Sequence, residues 1–146
     1  MPIDNVSWNE AQIFIGKLNE KTGKNYRLPT EKEWLYAAQG GKYRESFKYA
    51  GSNRIQDVAV YNGEGAPNAG TREVGAKKPN ALGIYDMTGN VWEWCQDSYK
   101  GNHIIRGGSW HDDAKRCELE ERSNGNLSNH VGFRIVLSEP AVHSYQ

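Results

Sequence analysis

The sequence predicts an α+β domain. Three observations carry that expectation: two well-signalled helices within the first forty residues, a long turn-rich middle, and short apolar runs of strand length towards the C-terminus. Helices first and strands afterwards argue against an alternating α/β arrangement. At 146 residues the chain suits one domain, and a domain of this size buries roughly 70% of its unfolded surface without needing staples. No internal repeat or interior linker divides it, so residues 1–140 are read as one domain and 141–146 as a tail.

Ser7-Trp8-Asn9-Glu10 is a capping box, with a hydroxyl and a carboxylate placed to satisfy each other's backbone amides. Trp8, Ala11, Ile15 and Leu18 then recur at helical spacing until Gly23 ends the segment. A second box, Thr30-Glu31-Lys32-Glu33, opens a helix that carries Trp34, Ala37 and Ala38 and stops at Gly40-Gly41. Between residues 43 and 79 turn chemistry dominates: Gly51-Ser52-Asn53, Asn62-Gly63, Ala66-Pro67-Asn68 and Lys78-Pro79-Asn80. Strands are expected at 58–61, at 103–106 and, most clearly, at 132–137.

Composition excludes several classes of function. Eighteen basic residues balance eighteen acidic ones, so the one-signed field that nucleic acid or an anionic membrane requires is absent. No apolar stretch approaches a membrane span and none resembles a signal-peptide core, so membrane insertion is not expected and the compartment stays open. Mean hydropathy is low, −0.82. Burial must therefore rest on the five Trp, eight Tyr and three Phe. No phosphate loop or nucleophile elbow is present. His103, His111, His130 and His143 lack ligand spacing, so a histidine metal site is not expected. Two cysteines allow one bridge, two buried thiols or a chemical site.

Five segments recur in a known order: Val6-Ser7-Trp8; Arg27-Leu28-Pro29-Thr30-Glu31-x-Glu33-Trp34; Asn80-x-x-Gly83-x-Tyr85-Asp86-Met87-x-Gly89-Asn90-Val91-Trp92-Glu93-Trp94; Arg106-Gly107-Gly108-Ser109-Trp110; and Gly132-Phe133-Arg134. Together they resemble the formylglycine-generating-enzyme (sulfatase-modifying factor) family across nearly the whole chain. The resemblance implies a C-type-lectin-like fold of two helices, short antiparallel strands and much irregular structure. Family domains usually carry a strand-rich stretch before the first helix, and this sequence shows none. That leaves a fragment, a minimal version, or a protomer whose edge strand a second copy covers.

Active members of the family, by the resemblance, hold copper between two thiolates placed two and seven residues after the aromatic of the Gly-Gly-Ser-aromatic motif. Here that aromatic is Trp110, and the two positions hold Asp112 and Cys117. A carboxylate is a hard ligand that does not replace thiolate for monovalent copper. Copper and oxidase activity are therefore not expected, and Cys117, Ser109 and Trp92 stand as vestiges of a site. Taken by residue type alone, Ser109 orders a turn and Trp92 fills core. Non-catalytic relatives pair a cysteine after Glu-Trp with one after the Gly-Gly-Ser-Trp turn. The resemblance thus suggests a Cys95–Cys117 bridge, worth roughly 3 kcal/mol for a loop of that size, against two buried thiols.

Asp86, Gly89, Val91 and Glu93 match the family's calcium position, two side-chain oxygens and two carbonyls. Calcium's preference for six to eight oxygens in flexible geometry suits a glycine turn beside two carboxylates. The motifs of calcium-dependent sugar binding are missing. Between Trp110 and Gly132 the composition turns polar, and loops on a rigid scaffold commonly carry recognition. His111, Asp112, Asp113, Lys115, Arg116, Glu118, Glu120, Asn124, Asn126, Asn129 and His130 are the expected ligand surface. In variable proteins of diversity-generating retroelements, which share the fold, hypervariable residues of these types occupy the same place. The expectation is a non-catalytic domain that binds a protein or other surface ligand through loop 111–130. The alternatives are a copper-dependent peptide-cysteine oxidase and an interaction module of a larger protein.

Overall fold

The computed structural model describes residues 5–59, 61, 75, 77–110, 112, 114–124 and 130–138. The expected turns at Asn62-Gly63 and Ala66-Pro67-Asn68, and the tail, lie outside the described residues.

Both capping boxes form. Helix α1 (Trp8–Thr22) begins with Ser7 Oγ accepting the Glu10 amide at 3.0 Å while Glu10 Oε1 accepts the Ser7 amide at 3.1 Å. It ends at Gly23, whose left-handed backbone returns an amide to the Asn19 carbonyl. Helix α2 (Glu31–Ala38) opens in the same way, with Thr30 and Glu33 exchanging bonds of 3.2 and 2.8 Å. Glu33 is also gripped by Arg27 at 2.6 and 2.8 Å, and the guanidinium's hydrogen bonds hold its carboxyl down at about 2. Ala11 and Ile15 of α1 and Trp34 and Ala38 of α2 are buried, as the helical spacing requires.

Among the described residues the strands are β1 (Tyr26–Arg27), β2 (Trp92–Tyr99), β3 (Asn102–Arg106), β4 (Arg122–Asn124), β5 (Val131–Gly132) and β6 (Val136–Leu137). They make a four-stranded sheet in the order β4-β3-β2-β5 and a two-stranded ribbon of β1 with β6. β2 and β3 form the central antiparallel hairpin, and β5 joins β2 in parallel. The hairpin register shifts between Trp94 and Ser98. Around that irregularity β2 bonds to the helical segment: Cys95 O accepts Trp8 Nε1, the Gln96 amide reaches Pro29 O, and the Asp97 side chain accepts the Glu31 amide. The bulge fastens both helices to the sheet.

Two strand expectations are corrected. In the run 58–61, Val58 ends helix α3 (Ile55–Val58), a single turn closed by the Ala59 amide on Ile55 O at 2.9 Å, and neither Ala59 nor Tyr61 lies in a strand. A short apolar run has no periodicity that separates a strand from a buried helical turn. The run 132–137 is split, because its ends serve different sheets: β5 pairs with β2, β6 with β1. Phe133 and Ile135, in the break, pack against the cluster of Ile15, Leu28, Trp92, Trp94, Ile105 and Val131. The expectation at 103–106 stands as β3.

Candidate functional site

The polar residues of the motifs converge beneath α2 and the β2–β3 hairpin. Glu93, on β2 and only 4% exposed, accepts Trp34 Nε1 at 3.0 Å and both Nε and a terminal nitrogen of Arg134 at 2.6 and 2.8 Å. A buried carboxylate is tolerated when paired and hydrogen-bonded in this way. Burial lowers the pKa of Arg134, but the adjoining Glu93 carboxylate outweighs it and the net movement is upward. A second knot joins Glu31 to Arg106 at 3.1 Å and to Arg122, while Arg106 also donates to Leu119 O at 2.8 Å. Arg106 and Arg134 were quoted in motifs but given no partner from sequence, and Arg122 was not singled out; glutamates separated from these arginines by up to ninety-one residues carry no local signal.

Asp86 sits just before this centre with a left-handed backbone, φ 61°, in a turn that contains Gly89 at 74° and Asn90 at 67°. Asp86 Oδ2 accepts the Gly75 amide at 2.7 Å. Its Oδ1 is buried and has no hydrogen-bond partner. Burial raises the pKa of its carboxyl, opposed by the Gly75 amide. A buried unpaired carboxylate oxygen is a donor of the kind a cation would satisfy. Gly89 and Val91 follow in the same turn, but Glu93 is already engaged by Arg134. Among the described residues no group of three or more His, Cys, Asp or Glu side chains forms a metal cluster.

The expected vestigial site is assembled by the fold around Asp112. Its Oδ2 accepts Trp92 Nε1 at 2.6 Å, Ser109 Oγ at 2.7 Å and the Ser109 amide at 3.0 Å, and its Oδ1 lies 3.4 Å from Arg116 Nε. Arg116 lies over the Trp92 ring, 5.8 Å from its centre. Cys117 is fully buried, with Sγ 3.9 Å from Ser109 O. Gly108, at φ 73°, is required here: a Cβ would come within 2.5 Å of the Cys117 sulfur. Thus Asp112, Ser109, Trp92 and Cys117 do meet, and Asp112 behaves as an acceptor that closes a turn.

The expected bridge does not form. Cys95 and Cys117 are both buried without a disulfide between them, and they belong to different core clusters, Cys95 with Trp34 and Met87, Cys117 with Tyr49 and Val58. Sequence separation gave no information on that distance. Burial pushes the Cys95 thiol pKa far up.

Of the expected ligand surface, His111, Asp113, Asn126 and Asn129 lie outside the described residues. The rest is more tied down than its composition suggested. Lys115 reaches Glu118 at 3.5 Å and Glu121 at 3.6 Å, and Glu118 also meets Lys48 at 3.7 Å. Glu120 is exposed, Asn124 is paired with Ile104 across the β4 edge, and His130 packs its ring on Trp110 at 4.7 Å. Sequence reasoning missed a cavity of about 680 Å³, lined by Phe14, Tyr85, Asp86, Phe133 and Arg134 among others. Phe14, three residues after Ala11 and four before Leu18, sits at the edge of the apolar stripe of α1, and that aromatic was the available signal.

Residues 1–139 match the family described as "Sulfatase-modifying factor enzyme 1-like domain". The chain belongs to that family. It is 36% identical to the chaperone protein LppX of Paenibacillus barcinonensis, over 93% of this chain and 55% of the relative. It is 29% identical to the inactive C-alpha-formylglycine-generating enzyme 2 of Bos taurus, over 92% and 50%. The chain therefore spans about half the length of these curated relatives. Among solved structures it resembles CarF, with a TM-score of 0.83 and 29% identity, over 95% of this chain and 68% of that one. It also resembles Treponema denticola variable protein 1, at 0.77 and 29%, over 92% and 70%. The family member's fold is thus the expected α+β, C-type-lectin-like one. No helix among its described residues is long and apolar enough to cross a membrane.

Proposed function

We propose that this sulfatase-modifying-factor-like domain is a non-catalytic binding module that recognises a protein or surface ligand through the 111–130 region. The observation that carries the reading is the state of Asp112, where active relatives are expected to hold a thiolate. Its carboxylate takes three hydrogen bonds from Trp92 and Ser109, and a hard, already engaged oxygen donor is a poor copper ligand. Similarity to a relative named inactive and to a variable protein supports the same direction. Trp110 and Arg116 then supply aromatic and guanidinium contacts of the kind that recognition surfaces favour.

Calcium at Asp86, Gly89, Val91 and Glu93 is part of the proposal, supported by the unpaired Asp86 Oδ1. Calcium would tie that turn to the sheet. A role as an interaction module of a larger protein is compatible, since the relatives are about twice as long. In that setting, or in a homo-oligomer, the β4 edge would accept a further strand.

The test is mass spectrometry of a Cys-x-Pro-x-Arg peptide incubated with the protein, copper and oxygen, beside an active family member. No conversion is expected. Formylglycine that appears with the native protein and disappears in Cys117→Ser would sink the non-catalytic reading.

A further inference from the structure

We propose that the pocket between the β2–β3 turn and β4 binds a sugar acid, a carboxylate carried on a small hydroxylated ring, with Lys100 holding the carboxylate. β4 belongs to the 111–130 region, so this rests in part on the binding reading above and gives its surface ligand a chemical class. The pocket measures about 270 Å³, near the lower end of small-molecule sites, roughly 300–1,000 Å³. The strand register builds one side of it. Tyr99 lies opposite Asn102, and Ile104 opposite Asn124, so by alternation these residues and Arg122 share a face of the sheet, and all of them line the pocket. Tyr99 is 53% exposed, with the Lys100 ammonium 5.4 Å and the Arg122 guanidinium 5.2 Å from its ring centre.

Lys100 stands out twice. Lys100 and Gly101 join β2 to β3 at φ 52° and 79°, a doubly left-handed turn that favours Asn-Gly or Asp-Gly. The other non-glycine residues with positive φ among those described are Asn5, Asp86 and Asn90, types that tolerate it. A lysine is a poorer choice for the turn, and it fixes an ammonium at the pocket. Its charge is also surplus. Arg106 and Arg122 share Glu31, and Asp97 acts on Arg122 from farther off, while Lys100 makes no ion pair among the described residues. Three cations against two carboxylates leave one positive charge. Arg122 spends Nε and a terminal nitrogen on Glu31, so its fork is not free to select phosphate. A bare inorganic anion would leave the Tyr99 ring wet, and an apolar carboxylate would offer the Asn102 and Asn124 carboxamides nothing. Partners elsewhere do not exhaust those amides, which have two donor and two acceptor positions each. A sugar acid sets ring C–H groups on Tyr99, hydroxyls on the amides and its carboxylate on Lys100.

The experiment uses the full chain in chelator and follows the backbone amide NMR signals of Tyr99, Gly101 and Ser123. Glucuronate is titrated in beside glucose, inorganic phosphate and acetyl-aspartate amide, and methyl glucuronide stands for the same acid at the end of a glycan. Saturable shifts are expected with glucuronate, about tenfold or more tighter than with glucose, the usual effect of a charged hydrogen bond, and tighter than with phosphate or the aspartate. Methyl glucuronide that binds at least as tightly as the free acid assigns a glycan end; a preference for the free acid assigns a free metabolite. Lys100→Asn suits the turn better and removes the cation, so it should keep or raise Tm while lowering affinity by the same factor. Tyr99→Ala, at a half-exposed position, should weaken binding more mildly. No saturable shift, glucose, phosphate or aspartate binding as tightly as glucuronate, or undiminished affinity in Lys100→Asn overturns the proposal. The titration needs neither copper nor a partner protein, so its failure leaves the non-catalytic reading intact, and conversion in the peptide assay leaves this site intact.

Discussion

Asp86 lies in a turn inside one family motif and Asp112 in a turn just after another, and their surroundings are opposite. At Asp112, Oδ2 accepts from Trp92 and twice from Ser109, and Oδ1 faces Arg116. At Asp86, Oδ2 takes one amide and Oδ1 takes nothing. The first carboxylate stabilises what surrounds it; the second is held in place by what surrounds it. In a family whose fold serves different tasks, the residue without partners is the better pointer to a ligand.

Substitution separates the two most strongly. Asp112→Ala leaves the Trp92 indole and the Ser109 donors unmatched, and should cost about 3 kcal/mol in chemical denaturation. Asp86→Asn removes a buried charge without a direct partner, so in chelator it should be neutral or stabilising by about 1 kcal/mol. An equal loss in both variants would erase the contrast.

Acid sharpens it next. Glu33, held at about 2 by Arg27, contributes stability that is complete above its usual 4.5 and fades as pH falls through 2. Asp86 moves the other way. With its pKa raised by burial, the folded state takes up its proton first, so its penalty appears as pH rises through the window above 3.8. Urea unfolding between pH 2 and 6 should therefore show a flatter acid decline in Glu33→Gln and a steeper one in Asp86→Asn.

The smallest effect concerns the thiols. Both should react with a thiol reagent only after unfolding, and two free thiols should be counted in denaturant without reductant. One or none would restore the bridge between Cys95 and Cys117.

Much was legible beforehand because it is local. Each capping box lies within four residues, and the positions of the two helices and of β3 follow from spacing of the same range. The motif run also placed Trp92, Ser109, Asp112 and Cys117 in one site, since a resemblance carries the geometry of relatives with it. The split of 132–137 was illegible because its partners β1 and β2 lie elsewhere in the chain, and the helical turn at Ile55–Val58 because a short apolar run has no deciding period.

By itself the sequence determined the helix starts and stops and the α+β class, matters of residue type and short spacing; that Asp112 stands where active relatives hold a thiolate is what the family resemblance implies. Only the tertiary structure decided that Cys95 and Cys117 belong to separate clusters, that Glu93 is held by Arg134, and that Asp86 keeps a bare oxygen beside an aromatic cavity. Those are questions of which distant groups meet. Hydrogen bonding and burial are settled by proximity in space, which residue spacing along a chain of many turns does not encode.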